Sequence, residues 1–247
     1  MSEERKSAEE FASRLSEIYG RSLVSVVLYG SAARGEYRPG LSDINLLVIL
    51  DDLRLAHLQR GAHATREWVA SGNPPPMMLS AEEWWNSADV FPLEYSDIRD
   101  AHVVLVGRDP FNRTRIGREH LRLQVEHELR SKKIQLREGY LVAGESPEEI
   151  GQLLIRSLPT FLTLFRAILR LDGKPIPRDR RDLIDAAGSL AGFRPAPVVD
   201  VLHARSAEEP FVAPLDGPVA AGYLEAVERC AVWLDSGEVG TGLGAEV

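Results

Sequence analysis

Apolar residues recur along the first segment at the spacing of a helix surface. Phe11, Leu15 and Ile18 fall three and four residues apart, with Ala8 and Ala12 on the same side, so residues 3–19 read as an amphipathic helix closed by Gly20. The pattern then changes. Leu23-Val24-Ser25-Val26-Val27-Leu28-Tyr29 is apolar and β-branched, which predicts a buried strand ending at Gly30. Ser31 to Gly35 suits a tight turn into a short helix, and Arg38-Pro39-Gly40 predicts a loop. Asp43 opens a second strand, Ile44 to Leu50. Residues 54–70 predict a helix closed by Ser71-Gly72-Asn73-Pro74-Pro75-Pro76, and Met77-Met78-Leu79 a third, short strand. Ser80-Ala81-Glu82-Glu83 has the spacing of a capping box and opens a short helix through Trp84 and Trp85. Within residues 93–106, Val103-Val104-Leu105-Val106 predicts a further strand, and Gly107-Arg108-Asp109-Pro110-Phe111 marks a boundary.

Beyond that boundary the periodicity is helical throughout. Helices are expected near residues 115–142, 147–172, 178–191, 196–205 and 217–235, with Ser146-Pro147-Glu148-Glu149 a clear start. Leu153 to Leu171 is apolar enough for the central helix of a bundle. The fold class is therefore a mixed α/β domain over residues 1–112, an all-α bundle over 113–236 and a Gly-rich, frayed tail over 237–247.

Charge and cysteine usage narrow the function. A net charge of −8 speaks against general nucleic-acid binding, which needs clustered Lys and Arg. The basic stretch Arg178, Arg180, Arg181 is diluted by Asp179 and Asp182 and reads as a solvated helix start. The single cysteine, Cys230, lies in an apolar helix and reads as inert packing. No apolar run is expected to span a membrane, the N-terminus lacks the apolar stretch of a signal peptide, and a cytoplasmic location is the default.

The chemistry concentrates in Leu28-Tyr29-Gly30-Ser31-Ala32-Ala33-Arg34-Gly35 and in Leu41-Ser42-Asp43-Ile44-Asn45-Leu46. A strand running into a Gly-Ser turn presents backbone N–H groups to an anion. Gly30 permits close approach of a phosphate, and the Ser31 hydroxyl adds a donor. Asp43 and Asn45 stand two apart on a strand, so both project from one face and can offer oxygens to Mg²⁺ beside the phosphates.

This combination resembles the nucleotidyltransferase superfamily, whose signature is Gly-Ser, a spacer, then Asp-x-Asp or Asp-x-Glu opening a strand. Within it the chain looks most like aminoglycoside nucleotidyltransferases of the kanamycin and streptomycin types. The resemblance implies a mixed-sheet nucleotidyltransferase domain followed by a helical bundle that forms part of the acceptor site. It also implies a nucleoside triphosphate partner, Mg²⁺ and a small-molecule acceptor. Gly30, Ser31, Arg34 and Ser42 would bind the nucleotide, and Asp43 and Asn45 the metal. Three acids hold two Mg²⁺ ions in the family; an acceptor hydroxyl attacks the α-phosphorus and pyrophosphate leaves.

The chain departs from that signature. Asn45 stands where a second acid belongs, and the third acid's position falls near Pro75 or Met77. Glu94, Asp97 and Asp100 follow nearby; Glu94 could be the third acid if the strand assignment shifts by one element, against its reading as a solvated loop residue. Glu126 matches the helix that carries a general base in the kanamycin type, against pairing with Arg130. Arg34 and Arg38 could contact phosphates or sit as surface arginines. For Trp84 and Trp85, packing between the domains is favoured over stacking on a base, and for His102 a core or edge position is favoured over catalysis.

Three functions stay open. One is transfer of a nucleoside monophosphate to a small hydroxylated acceptor. Another is nucleotide binding without turnover, in a sensor or regulator. The third is an interaction protein whose apolar Leu153–Leu171 helix pairs with a partner or a second copy in a homodimer.

Overall fold

The β-branched run after Gly20 forms strand β1, Leu23–Tyr29, at the centre of the first unit. In this computed structural model residues 2–40, 42–207 and 209–236 are described, so the expected tail lies outside the described residues. β2 (Asn45–Leu50) and β4 (His102–Gly107) pair antiparallel with β1, and β3 (Met77–Ser80) pairs parallel with β2. The sheet is therefore mixed, in the order β3-β2-β1-β4. β2 begins at Asn45 rather than at Asp43, because only from Asn45 does the backbone pair with β1.

Strand alternation sends side chains to two different layers. Val26, Leu28, Leu46, Val48 and Leu50 pack against α1 (Glu3–Tyr19) and α3 (Leu55–Ala70), where Phe11 stacks on Trp68 at 4.6 Å. Val27, Leu47 and Ile49 face Ala81 and Trp84 of α4 (Ala81–Asn86) and Tyr95 of α5 (Pro92–Asp100). The capping box of α4 forms as expected: the Glu83 N–H donates to Ser80 Oγ at 3.1 Å, and the Ser80 N–H donates to the Glu83 carboxylate at 2.7 Å. Hydrogen bonds from Ser80 to the carboxylate, the backbone one first, hold the Glu83 carboxyl below its usual range.

Trp84 lies buried within the first unit, stacked on Tyr95 at 4.1 Å and edge-on to Phe111 at 5.2 Å. Its indole N–H donates to Thr114 Oγ1 at 3.1 Å, which satisfies the one polar atom the ring buries.

The described residues divide into two compact units, one up to Ile116 and one from Gly117. The second is helical: α6 (Arg118–Ala143), α7 (Pro147–Leu171), α8 (Arg180–Ala191), α9 (Ala196–Ala204) and α10 (Pro218–Asp235). Asp179 caps α8, accepting from the Arg181 and Asp182 N–H groups, so the basic stretch is a helix start. By length and composition α7 could cross a bilayer, contrary to the sequence expectation. Its apolar side chains Leu154, Leu158, Phe161, Phe165 and Ile168 are buried within the bundle, as the central-helix reading requires. Cys230 is fully buried, and burial pushes its thiol pKa up.

Candidate functional site

The antiparallel pairing of β1 with β2 brings the end of one strand to the start of the other. Tyr29, the last residue of β1, pairs with Asn45 on one side and with His102 on the other. The Gly-Ser turn and the Ser42-Asp43 segment therefore meet at one end of the sheet.

Gly30 makes the turn with φ +78° and ψ −147°, a region open to glycine and costly to other residues. A Cβ there would come within 3.3 Å of the Asn45 side-chain amide. The Gly30 N–H donates to the Ala101 carbonyl at 3.2 Å, which ties the turn to the start of β4. The chain then forms α2, Ser31–Arg34, a single helical turn closed by Gly35 in the left-handed region. Ser31 is half-buried there.

On the facing segment, Ile44 is buried in the α1/α3 layer. Asp43 is exposed, Asn45 half-buried and Ser42 half-buried. Asp43 therefore stands two residues before β2 begins at Asn45. The register of β2 with β3 begins at Leu47 and Met77, and neither Pro75 nor Met77 is an acid.

Arg34 is held by a contact the sequence did not reveal. Its guanidinium donates to Asp97 Oδ1 at 2.7 Å and to the Asp97 carbonyl at 3.3 Å, with the two side chains 15% and 24% exposed. Asp97 lies on α5, a helix absent from the sequence reading although Pro92 at its first turn is a helix-start signal. Tyr29 lies close enough to feel the same carboxylate: burial first, and then the Asp97 charge, raise its phenol pKa.

The other candidates lie on two helices and on the edge strand. Glu94 is exposed on α5, not on a strand beside β2. Glu126, on α6 of the second unit, accepts from Arg130 at 3.0 Å, the pairing weighed against a base role, and Arg130 also binds Asp235 at 2.8 Å. His102 is half-buried on edge strand β4, with Nδ1 3.0 Å from the Arg99 carbonyl and Nε2 3.5 Å from Asp109. Among the described residues no three His, Cys, Asp or Glu side chains form a group that could hold a metal ion.

Comparison with known proteins shows the family and the fold. A family model described as a nucleotidyltransferase domain matches residues 8–137. The spectinomycin adenyltransferase AAD(9) from Enterococcus faecialis, solved with ATP and spectinomycin, superposes with a TM-score of 0.58. It is 12% identical, over 93% of this chain and 99% of that one, a likeness of fold. A toxin–antitoxin solved with AMP-PNP matches 41% of this chain and 74% of that one, at 16% identity and a TM-score of 0.29. No curated protein matches in sequence.

Proposed function

The chain belongs to the nucleotidyltransferase domain family, and on that premise we propose that it binds a nucleoside triphosphate at the Gly30–Ser31 end of the sheet and transfers the nucleoside monophosphate to a small hydroxylated acceptor. The observation that carries this reading is the meeting of Gly30 with Asn45. It puts a Cβ-free turn and the Asp43 carboxylate at one strand end. Backbone N–H groups of the turn and the Ser31 hydroxyl suit phosphate oxygens. In the transfer, the acceptor oxygen bonds to the α-phosphorus and its proton passes to solvent, while the bond to the bridging oxygen breaks and pyrophosphate leaves with that electron pair.

Magnesium, which the family implies, would meet one carboxylate and one neutral amide here. That set fits a single ion delivered with the triphosphate and does not fit a two-ion site. Asp43 would hold the ion, with the Asn45 amide oxygen beside it, and the ion would neutralise phosphate charge. ATP is the donor we favour, since AAD(9) was solved with it. An amine-bearing acceptor suits a chain of net charge −8.

A second reading is nucleotide binding without turnover. Asn45, and the lack of an acid at Pro75 or Met77, favour this, because loss of two carboxylates removes transition-state stabilisation while leaving the phosphate turn intact.

Calorimetric titration with ATP, GTP, CTP and UTP, each with and without Mg²⁺, tests both. Mg²⁺-dependent binding that Asp43→Ala abolishes supports transfer, and acceptors are then assayed for pyrophosphate release. Binding indifferent to Mg²⁺ supports the second reading. Absence of binding by all four sinks both.

A further inference from the structure

At the opposite end of the same sheet lies a cleft of about 310 Å³ with Val24, Ile49 and Trp84 on its apolar side. Ile49 is four residues along β2 from Asn45, roughly 13 Å at the rise of a strand, so the cleft is separate from the Asp43 end. Its size is at the lower limit of small-molecule pockets.

The walls are built rather than incidental. Gly107 turns with φ +84°, and a Cβ there would lie 2.0 Å from the Val24 carbonyl oxygen, so no other residue fits. That close approach lets the Arg108 N–H donate to Val24 at 3.3 Å, which sets Arg108 on the cleft rim. The Pro110 carbonyl accepts from the Trp84 indole at 3.3 Å and from Thr114 Oγ1 at 2.9 Å, fixing the following turn.

Three groups on the rim are left for a ligand. Trp85 is 45% exposed, unlike its buried neighbour Trp84. Its ring carries the Arg108 guanidinium at 5.9 Å. Arg113 is exposed across the same cleft. Among the described residues neither Arg108 nor Arg113 takes part in an ion pair. The one carboxylate of the lining, Asp109, is already engaged: Oδ1 accepts from the Phe111 N–H at 2.8 Å, and Oδ2 lies 3.5 Å from His102. Two uncompensated guanidiniums beside an exposed indole, over an apolar floor, match a planar ring joined to an anion.

We propose that this cleft is a second binding site, independent of the Asp43 end, for a small ligand of the nucleoside monophosphate class. The ring lies on Trp85 and the phosphate between Arg108 and Arg113.

The test is a nuclear magnetic resonance titration of the full chain with AMP, adenosine and inorganic phosphate, reading the indole N–H signals, that of Trp85 being assigned by Trp85→Phe. The expected result is a saturable AMP shift of the Trp85 signal, with tighter binding than adenosine or phosphate. Arg108→Ala and Arg113→Ala should each weaken it roughly tenfold, as loss of a charge-assisted contact does, while Asp43→Ala leaves it unchanged. Both arginines are exposed, so the variants keep the fold, checked by unchanged signals of the other tryptophans. No Trp85 shift, a shift by phosphate alone, insensitivity to both arginine variants, or equal weakening by Asp43→Ala would each overturn the proposal. Failure of triphosphate to bind at the Asp43 end would leave this result untouched, so the two readings fail separately.

Discussion

Arg34 and Asp97, 63 residues apart, meet at 2.7 Å and join α2, the helical turn after Gly30-Ser31, to α5. The guanidinium is thereby committed to a carboxylate and a backbone carbonyl. Through that contact Arg34 holds the far end of the turn. Asp97→Ala should cost about 1–2 kcal/mol, because it strands a half-buried charge. Arg34→Ala should cost a similar amount, and the double variant less than the sum. Urea unfolding of the four proteins checks this. An additive double variant would mean that the pair contributes nothing to coupling.

Gly30→Ala should cost about 1–3 kcal/mol for its backbone conformation, with a further steric part from the Asn45 amide 3.3 Å away. Asn45→Ala in the same chain should recover the steric part only. The two contributions thus separate in thermal unfolding of Gly30→Ala with and without Asn45→Ala. Full recovery by Asn45→Ala would refute the claim that backbone strain dominates.

What the sequence made legible follows from where its information is local. The strand-turn-strand around Gly30 and Asp43 reads directly, because period and Gly placement are short-range. The bundle helices read equally well from their spacing. α5 was hidden, since Leu93, Tyr95, Ser96 and Ile98 make a short, mixed buried face interrupted by charges. With α5 unread, Asp97 could not be matched to Arg34. The burial of Trp84 was legible in kind, yet its partners Tyr95 and Phe111 depend on tertiary packing that no spacing encodes.

Tyr29 carries a pH signature. Burial, then the Asp97 charge, raise its phenol pKa above the ordinary value of 10.0. A folded value above the unfolded one means that its contribution to stability is full below the unfolded value and is lost as pH rises through the raised folded value. Asp97→Asn removes the smaller cause and leaves burial. Spectroscopic titration should therefore show the Tyr29 transition moving down while staying above that of a free phenol. An unmoved transition would separate Asp97 from Tyr29.

Asn45→Asp tests how much of the site the amide has removed. The substitution places a second carboxylate two residues from Asp43, at the start of β2. Without metal, two like charges this close in the chain repel, so the variant should be slightly less stable than the parent. With Mg²⁺ that repulsion becomes a ligand set, since hard cations gain from each added carboxylate. Thermal unfolding should therefore rise with Mg²⁺ concentration in Asn45→Asp and stay nearly flat in the parent, following the logarithm of ligand over Kd. The Asp43→Ala, Asn45→Asp double variant should lose the response, as one carboxylate again stands alone. A parent protein that responds to Mg²⁺ as strongly as Asn45→Asp would mean the amide was never the deficiency, and the search for a missing acid would move away from this strand.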